Sequence, residues 1–123
     1  LVRQFCENIN CLQPLQNLRT IQYLTAVAGL SETQKQNWLN EWFSRNAETL
    51  EATLRKHAGE YCFVDTVTAA DCFLAPQVFA AKRFNFDFSK YPHITRVNAN
   101  LERLAAFIKA HPHKQVDTPA ELR

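Results

Sequence analysis

The hydrophobic positions at the start of the chain recur every three or four residues, which predicts an amphipathic helix. They are Leu1, Phe5, Ile9 and Leu12. Pro14 interrupts this series, so the helix either kinks there or ends near Asn10 and restarts with Pro14 at its first position. A second apolar series continues to Gly29, and the same spacing predicts that Gln16 and Asn17 face solvent. Its members are Leu15, Leu18, Ile21, Leu24 and Val27 or Ala28.

A longer apolar stripe predicts the next helix, which begins at Ser31. Ser31 and Gln34 have the spacing of a capping box, in which each side chain bonds the backbone amide of the other residue. Trp38 and Trp42 lie beside the stripe, and their spacing favours packing against a neighbouring helix over stacking on a ligand. The stripe ends before Gly59 and consists of Leu39, Phe43, Ala47, Leu50 and Leu54.

The most apolar stretch runs from Thr68 to Phe84 and predicts a central helix. Thr68 and Asp71 have the spacing of a second capping box. After Asp71, Gln77 is the only polar residue before the basic pair that ends the stretch. A surface helix would have a polar face, so this helix is predicted to be buried among other helices. Pro76 lies in its middle, where it removes an amide donor and is expected to bend the axis.

The other apolar positions predict an ordered loop, two further helices and a tail. Residues 60–67 have no partner strand, so we expect a loop whose Tyr61 and Phe63 fill the core. A helix is predicted to begin near Pro92, and a short one follows at 104–108. The first of these has its apolar face at Ile94, Val97, Leu101 and Leu104. The polar tail at 114–123 is too short to fold alone.

Together these patterns predict one all-α domain over residues 1–123, a bundle of about five to six helices around the central helix. Of the 123 residues 46% are hydrophobic and 2 are glycine, which suits a helical core. The 4 cysteines lack a CxxC spacing, which indicates reduced thiols and a cytoplasmic protein. A net charge of +2 with interspersed signs argues against nucleic acid as a partner, and no apolar run is long enough for a membrane span. Since the chain begins at Leu1 and has no methionine, we expect a piece of a longer protein.

Few residues suggest chemistry by their type and position. His111 and His113 have no third ligand at a suitable spacing, so no metal site is predicted. No glycine-rich phosphate loop or nucleophile elbow is present. Arg83 ends the buried helix, where it either binds a carboxylate or stabilises the helix end through the dipole or an ion pair with Asp87. Gln13 lies next to the first proline, where the pattern alone fits a site residue and a polar residue at a kink equally well.

Several strings resemble the C-terminal domain of glutathione transferases, and within that superfamily the zeta class of maleylacetoacetate isomerases. The capping-box helix that follows Val67 is similar to one in the superfamily. The zeta-like strings are Leu-Gln-Pro-Leu-Gln-Asn-Leu at 12–18, Tyr-Cys at 61–62, Pro-Gln-Val at 76–78, Arg-Phe at 83–84 and Asp-Thr-Pro-Ala-Glu-Leu-Arg at 117–123. The resemblance covers the whole chain. One departure is Val64, because the class usually has glycine before the loop aspartate, here Asp65.

The resemblance implies a two-domain, homodimeric enzyme that uses glutathione and acts on a small carboxylate substrate. A thioredoxin-like domain outside this chain would bind glutathione, whose thiolate adds to the cis double bond of maleylacetoacetate, permits rotation and leaves. The resemblance assigns Arg83 to a substrate carboxylate and Gln13 to the glutathione or substrate pocket. It also implies that residues 1–123 alone are inactive. The alternative is a non-catalytic helical interaction module, since transferase-like domains also occur as assembly parts of the translation machinery.

Overall fold

In the computed structural model, which describes residues 1–122, seven α-helices and two 3₁₀ helices form a bundle, and the described residues contain no β-strand. The α-helices are α1 (Val2–Asn10), α2 (Gln13–Gln16), α3 (Leu18–Ala26), α4 (Glu32–His57), α5 (Ala69–Arg83), α6 (Pro92–Leu101) and α7 (Ala105–Ala110). The 3₁₀ helices are Pro112–Lys114 and Ala120–Leu122. The all-helical prediction is confirmed. Arg123, the end of the string at 117–123, lies outside the described residues.

The first apolar segment divides into three helices, of which α2 has only 4 residues; five of the described α-helices have 9 residues or more, which agrees with the predicted five to six. Of the two alternatives at Pro14, the chain takes the second: α1 ends at Asn10, and Pro14 lies in the first turn of α2. Asn17 then caps α3, because its Oδ1 accepts a hydrogen bond from the Thr20 amide at 2.9 Å. Local cap and proline chemistry therefore sets these boundaries.

Two predictions for this segment are wrong. Gln16 was expected to face solvent, but only 7% of it is exposed. Leu18 and Val27 were expected on the apolar face, but they are 68% and 66% exposed. The break at Asn17 restarts the helix, so positions before and after it no longer share one continuous helical face.

The long helix α4 follows its sequence pattern closely. Ser31 and Gln34 form the predicted capping box, with the Ser31 amide donating to Gln34 Oε1 at 2.9 Å. All five residues of the predicted stripe are buried, and they divide between two adjoining core clusters. The two tryptophans pack against each other edge to face at 5.8 Å, and Trp38 Nε1 donates to the Leu15 carbonyl at 2.8 Å. The helix thus serves as the wall on which α1, α3 and α6 pack.

The central helix α5 contacts α1 and α6, and its inner side is buried. Burial covers one side of the helix, since Cys72 and Phe73 on the other side are exposed. The capping box at its start is present, and Thr68 donates its amide to Asp71 Oδ2 at 2.8 Å. The Thr68 hydroxyl lies 3.2 Å from the same oxygen. Asp71 Oδ1 also accepts from the Cys62 amide at 2.8 Å, so this fully buried carboxylate joins the loop to the helix.

The loop between α4 and α5 is ordered as predicted, with Tyr61 and Phe63 packed against the core. Val64 adopts φ 55°, the left-handed region that a β-branched residue rarely occupies. This is the position at which the zeta class usually has glycine. The departure noted in the sequence therefore coincides with a strained backbone conformation, at a residue that is 64% exposed.

Candidate functional site

Gln13 lies at the first position of α2, with an exposed side chain. Its Nε2 donates to Gln77 Oε1 of the central helix at 3.3 Å. Its side-chain Oε1 accepts no hydrogen bond from the described residues, whereas its main-chain carbonyl accepts from the Asn17 amide at 3.0 Å. Gln13 is therefore held from one side by the core and is open to solvent on the other.

Gln77 is the centre of a buried amide cluster, which we define as Gln13, Gln16, Asn46 and Gln77. Gln77 is 4% exposed, and its Oε1 accepts from Gln16 Nε2 at 2.7 Å as well as from Gln13. Its Nε2 donates to Gln16 Oε1 and to Asn46 Oδ1, both at 3.2 Å. Asn46 Nδ2 in turn donates to the backbone carbonyl of Asn8 at 3.0 Å. The cluster thus connects α1, α2, α4 and α5.

Arg83 is the last residue of α5 and is exposed. Among residues 1–122 its guanidinium makes no hydrogen bond and no ion pair. The ion pair with Asp87 that the sequence allowed does not form, and both Asp87 oxygens accept from Ser89, at 2.8 and 2.7 Å. The bond from the Ser89 backbone amide, and then the bond from the Ser89 hydroxyl, hold the pKa of Asp87 below its ordinary value. The neighbouring Lys82, by contrast, lies 3.5 Å from Glu102. The N–H groups of Arg83 are therefore available to bind another partner.

Gln13 and Arg83 are not in contact with each other. Gln77, the contact of Gln13, precedes Arg83 by six residues, or about 9 Å along α5. A cavity of about 540 Å³ lies elsewhere, between α1 and α4, and neither residue lines it. Its walls are mixed, with the apolar residues Leu1, Phe5 and Ala52 beside polar and charged ones that include Glu48, Lys56 and His57. Each of the two predicted site residues is therefore exposed to solvent in this chain and stands apart from this cavity.

A second buried polar group is the carboxylate of Glu51 in α4, which caps the first turn of the neighbouring helix α6. It is 4% exposed, and its carboxylate accepts from the amides of His93 and Ile94, both at 3.0 Å. His93 Nδ1 lies 2.6 Å from the same carboxylate. Burial acts to raise the pKa of Glu51, but these hydrogen bonds outweigh it, and the pKa is lowered. Glu51 satisfies helix-terminal amides and has no visible role at Gln13 or Arg83.

The remaining candidate chemistry of the sequence does not assemble into a site. No group of three or more His, Cys, Asp or Glu in the part of the chain that the structure describes is placed to hold a metal ion. His111 and His113 pack on Phe79, with ring centroids 5.2 and 5.5 Å away. Burial first, and then Asp71, raises the pKa of the Cys62 thiol, so this cysteine is not a reactive nucleophile. None of the described helices is long and apolar enough to cross a membrane.

Sequence reasoning missed the amide cluster and Glu51. The sequence did indicate Gln77, since it was the single polar residue in an apolar run. It did not indicate Gln16 or Asn46, because their hydrogen bonds reach a residue 61 and 31 positions away in the chain. Glu51 directly follows a stripe residue, and a charged residue there is normally read as surface.

No protein-family profile matches the chain. Individual proteins do: the probable maleylacetoacetate isomerase of Vibrio cholerae is 41% identical over 106 residues, which is 86% of this chain and 49% of that protein. The maleylacetoacetate isomerase of Rattus norvegicus is 41% identical over 112 residues, or 91% of this chain and 49% of that one. The chain spans about half the length of the curated relatives that it matches.

Solved structures share the fold as well. A maleylpyruvate isomerase described as a bacterial glutathione S-transferase of the zeta class superposes with a TM-score of 0.91 at 37% identity, over 96% of this chain and 57% of that one. A maleylacetoacetate isomerase from Anaeromyxobacter dehalogenans, with dicarboxyethyl glutathione and citrate in its active site, superposes with 0.88 at 36% identity, over 97% and 53%. Sequence identity and fold agree, and the chain belongs to the zeta class of glutathione transferases, the family of the maleylacetoacetate isomerases.

Proposed function

We propose that the full-length protein containing this chain is a glutathione-dependent maleylacetoacetate cis–trans isomerase, and that this chain forms the substrate side of its site. The observation that carries the proposal is the free guanidinium of Arg83, in a chain 41% identical to a maleylacetoacetate isomerase. Related structures hold carboxylates, namely citrate in one and malonate in another. Full-length relatives are about twice as long, which leaves room for a second, thioredoxin-like domain that binds glutathione.

The residues present fit both ligands. Glutathione, when bound, supplies a thiol that adds reversibly to the cis double bond and so permits rotation to trans. Arg83 offers a planar fork of donors that matches a carboxylate in two parallel hydrogen bonds. It would hold the substrate's charged end while the double bond reacts. Gln13 would line the same surface and orient either glutathione or substrate. Residues 1–123 alone would then be inactive, and the complete enzyme a cytoplasmic homodimer.

Arg83→Gln in the full-length protein tests this function. A hydrogen-bonded contact to a charged group is worth about 1.5–3 kcal/mol. At about 1.4 kcal/mol per decade, kcat/KM for maleylacetoacetate should fall about ten- to a hundredfold. Arg83→Lys should recover part of that loss, because a point charge replaces the fork. Substrates without a carboxylate should lose little.

Lys82→Gln is the matched control, since it removes the adjacent cation in the same helical turn. Lys82 has its ion pair with Glu102, so its loss should leave kcat/KM within about twofold of wild type. Urea midpoints of all variants separate lost recognition from a loosened helix end. Equal losses for charged and uncharged substrates would return Arg83 to the role of a helix-terminal cation. Absence of isomerase activity in the wild-type full-length protein would favour the helical interaction module.

A further inference from the structure

The amide cluster around Gln77 uses every hydrogen-bonding position of that side chain. An amide group has two N–H donors and one oxygen that accepts twice. Gln77 donates to Gln16 and Asn46, and it accepts from Gln16 and Gln13. A buried amide with all four positions filled has one orientation and one place, because any rotation breaks several bonds in a site shielded from water.

The orientation of each amide in the cluster, that is, which way its nitrogen and oxygen point, is determined by Asn46. The Gln16 and Gln77 side chains each donate to the other. This pair alone would therefore be equally stable if the nitrogen and oxygen of both amides exchanged places. Asn46 removes this symmetry. Its Nδ2 donates to the Asn8 carbonyl at 3.0 Å, and a carbonyl oxygen only accepts. Asn46 therefore turns its own oxygen to Gln77 Nε2, and Gln77 must present its oxygen to α2.

The same logic continues outward to Gln13. Because Gln77 presents an oxygen, Gln13 must direct its Nε2 inward, at 3.3 Å. Its carbonyl oxygen then lies on the exposed side, with no donor among the described residues. Gln13 therefore presents an acceptor to solvent, whereas Arg83 offers only donors.

We infer that Gln77 is a positioning residue, which holds Gln13 with its carbonyl oxygen outward so that it binds an N–H or O–H group of the ligand. The inference rests on the proposed function of this surface, and it deepens it. The ligand would present a carboxylate to Arg83 and a hydrogen-bond donor to Gln13. Glutathione and its adducts carry both kinds of group. Gln77 itself, buried behind Gln13, touches no ligand.

Steady-state kinetics of the full-length protein with glutathione and maleylacetoacetate test the inference. Gln13→Leu should raise the KM of one of the two ligands about two- to tenfold, the range of a single hydrogen bond. Gln77→Leu should raise the same KM by a similar factor, although it is remote from the ligand. The double variant should show no larger change than the greater single one, since both remove the same contact.

Gln16→Leu is the matched control. Gln16 is buried and bonds Gln77 at 2.7 Å, so its loss lowers the unfolding midpoint, but it leaves the Gln13–Gln77 bond in place. Its KM values should stay within about twofold of wild type. Gln77→Met, an unbranched apolar side chain of similar length, removes the same hydrogen bonds with less change of shape and should raise the same KM as Gln77→Leu. That variant decides the matter if Gln77→Leu does not fold.

A normal KM in Gln77→Leu, beside a raised KM in Gln13→Leu, would overturn the positioning role and leave the proposed function standing. A folded Gln77→Met variant with wild-type KM values would overturn it too. So would an unchanged KM for both ligands in Gln13→Leu. The proposed function itself is decided separately, by isomerase activity and by Arg83→Gln.

Discussion

Replacing Glu51 by glutamine should destabilise the protein in a strongly pH-dependent way. The carboxylate of Glu51 accepts from two amides at the start of α6 and lies beside His93 Nδ1, and it is almost fully buried. Glutamine has one accepting oxygen where glutamate has two. Its NH₂ group would therefore face either the His93 or the Ile94 amide, and that buried donor would stay unpaired.

The size of the effect follows from two losses. An unpaired buried donor costs about 1–3 kcal/mol. The negative charge at the helix start contributes roughly a further 0.3–1 kcal/mol. We expect Glu51→Gln to lower the free energy of unfolding by about 1.3–4 kcal/mol at pH 7. Glu48→Gln, an exposed neighbour on the same helix, should change it by less than about 0.5 kcal/mol.

The sign of the pH dependence follows from the lowered pKa of Glu51 in the folded protein. A carboxylate whose pKa is lower folded than unfolded binds more protons in the unfolded state near that range. Its stabilising contribution is complete above the unfolded pKa, about 4.3, and is lost as the pH falls through the folded pKa. The difference between wild type and Glu51→Gln should thus be largest at pH 7 and shrink towards pH 3.

Urea unfolding at several pH values between 7 and 3 measures this difference directly. The slope of free energy against urea should match between wild type and variant, which shows that the same surface is exposed. A Glu51→Gln variant as stable as wild type at pH 7 would refute the reasoning. A difference of equal size at pH 7 and pH 3 would show that the loss comes from packing and not from the charge.

Three further predictions concern the loop and the thiols. Val64→Gly should raise the free energy of unfolding by about 0.5–1 kcal/mol in urea, since glycine accepts φ 55° without strain, and a destabilised variant would contradict this. Asp71→Ala should lower the free energy of unfolding by about 2–4 kcal/mol, but Thr68→Ala by only about 0.5–2 kcal/mol, because Asp71 also accepts from the Cys62 amide. Equal losses in the two variants would show that the bond to Cys62 contributes nothing. In native protein, iodoacetamide should label the exposed Cys72 and leave the buried Cys62 unmodified until urea is added, as measured by mass spectrometry. Labelling of Cys62 without urea would contradict its burial and its raised pKa.

The parts of the fold that depend on near neighbours in the chain were predictable. Capping boxes join residues three apart, and the stripe of α4 repeats every three or four, so Ser31, Thr68 and Leu39 fell where the pattern placed them. Gln16 was misread because its burial depends on Gln77, 61 residues later. The periodicity of one helix contains no information about such a partner.

The candidate site was predictable only in part. The position of Arg83 at the end of α5 follows from the sequence, but its lack of an ion pair depends on how the following loop places Asp87, which accepts from Ser89. The role of Gln13 came from a family resemblance, whereas its orientation depends on a chain of amides through three helices. The sequence pattern placed Arg83 at a helix end, and long-range hydrogen bonds determine which atom Gln13 presents to solvent.

The loop after α4 limits which sequences this fold accepts. A Cβ atom on Gly59 would collide with Asp65 Oδ1 and lie 2.6 Å from the backbone of Val64, so a larger residue there would force the loop to shift. Asp65 stays close because it accepts from the Glu60 amide at 2.8 Å. A randomised library of this loop should therefore return glycine at 59 in nearly every folded clone. At 64, where the side chain is exposed but the backbone is strained, it should enrich glycine and asparagine without demanding either.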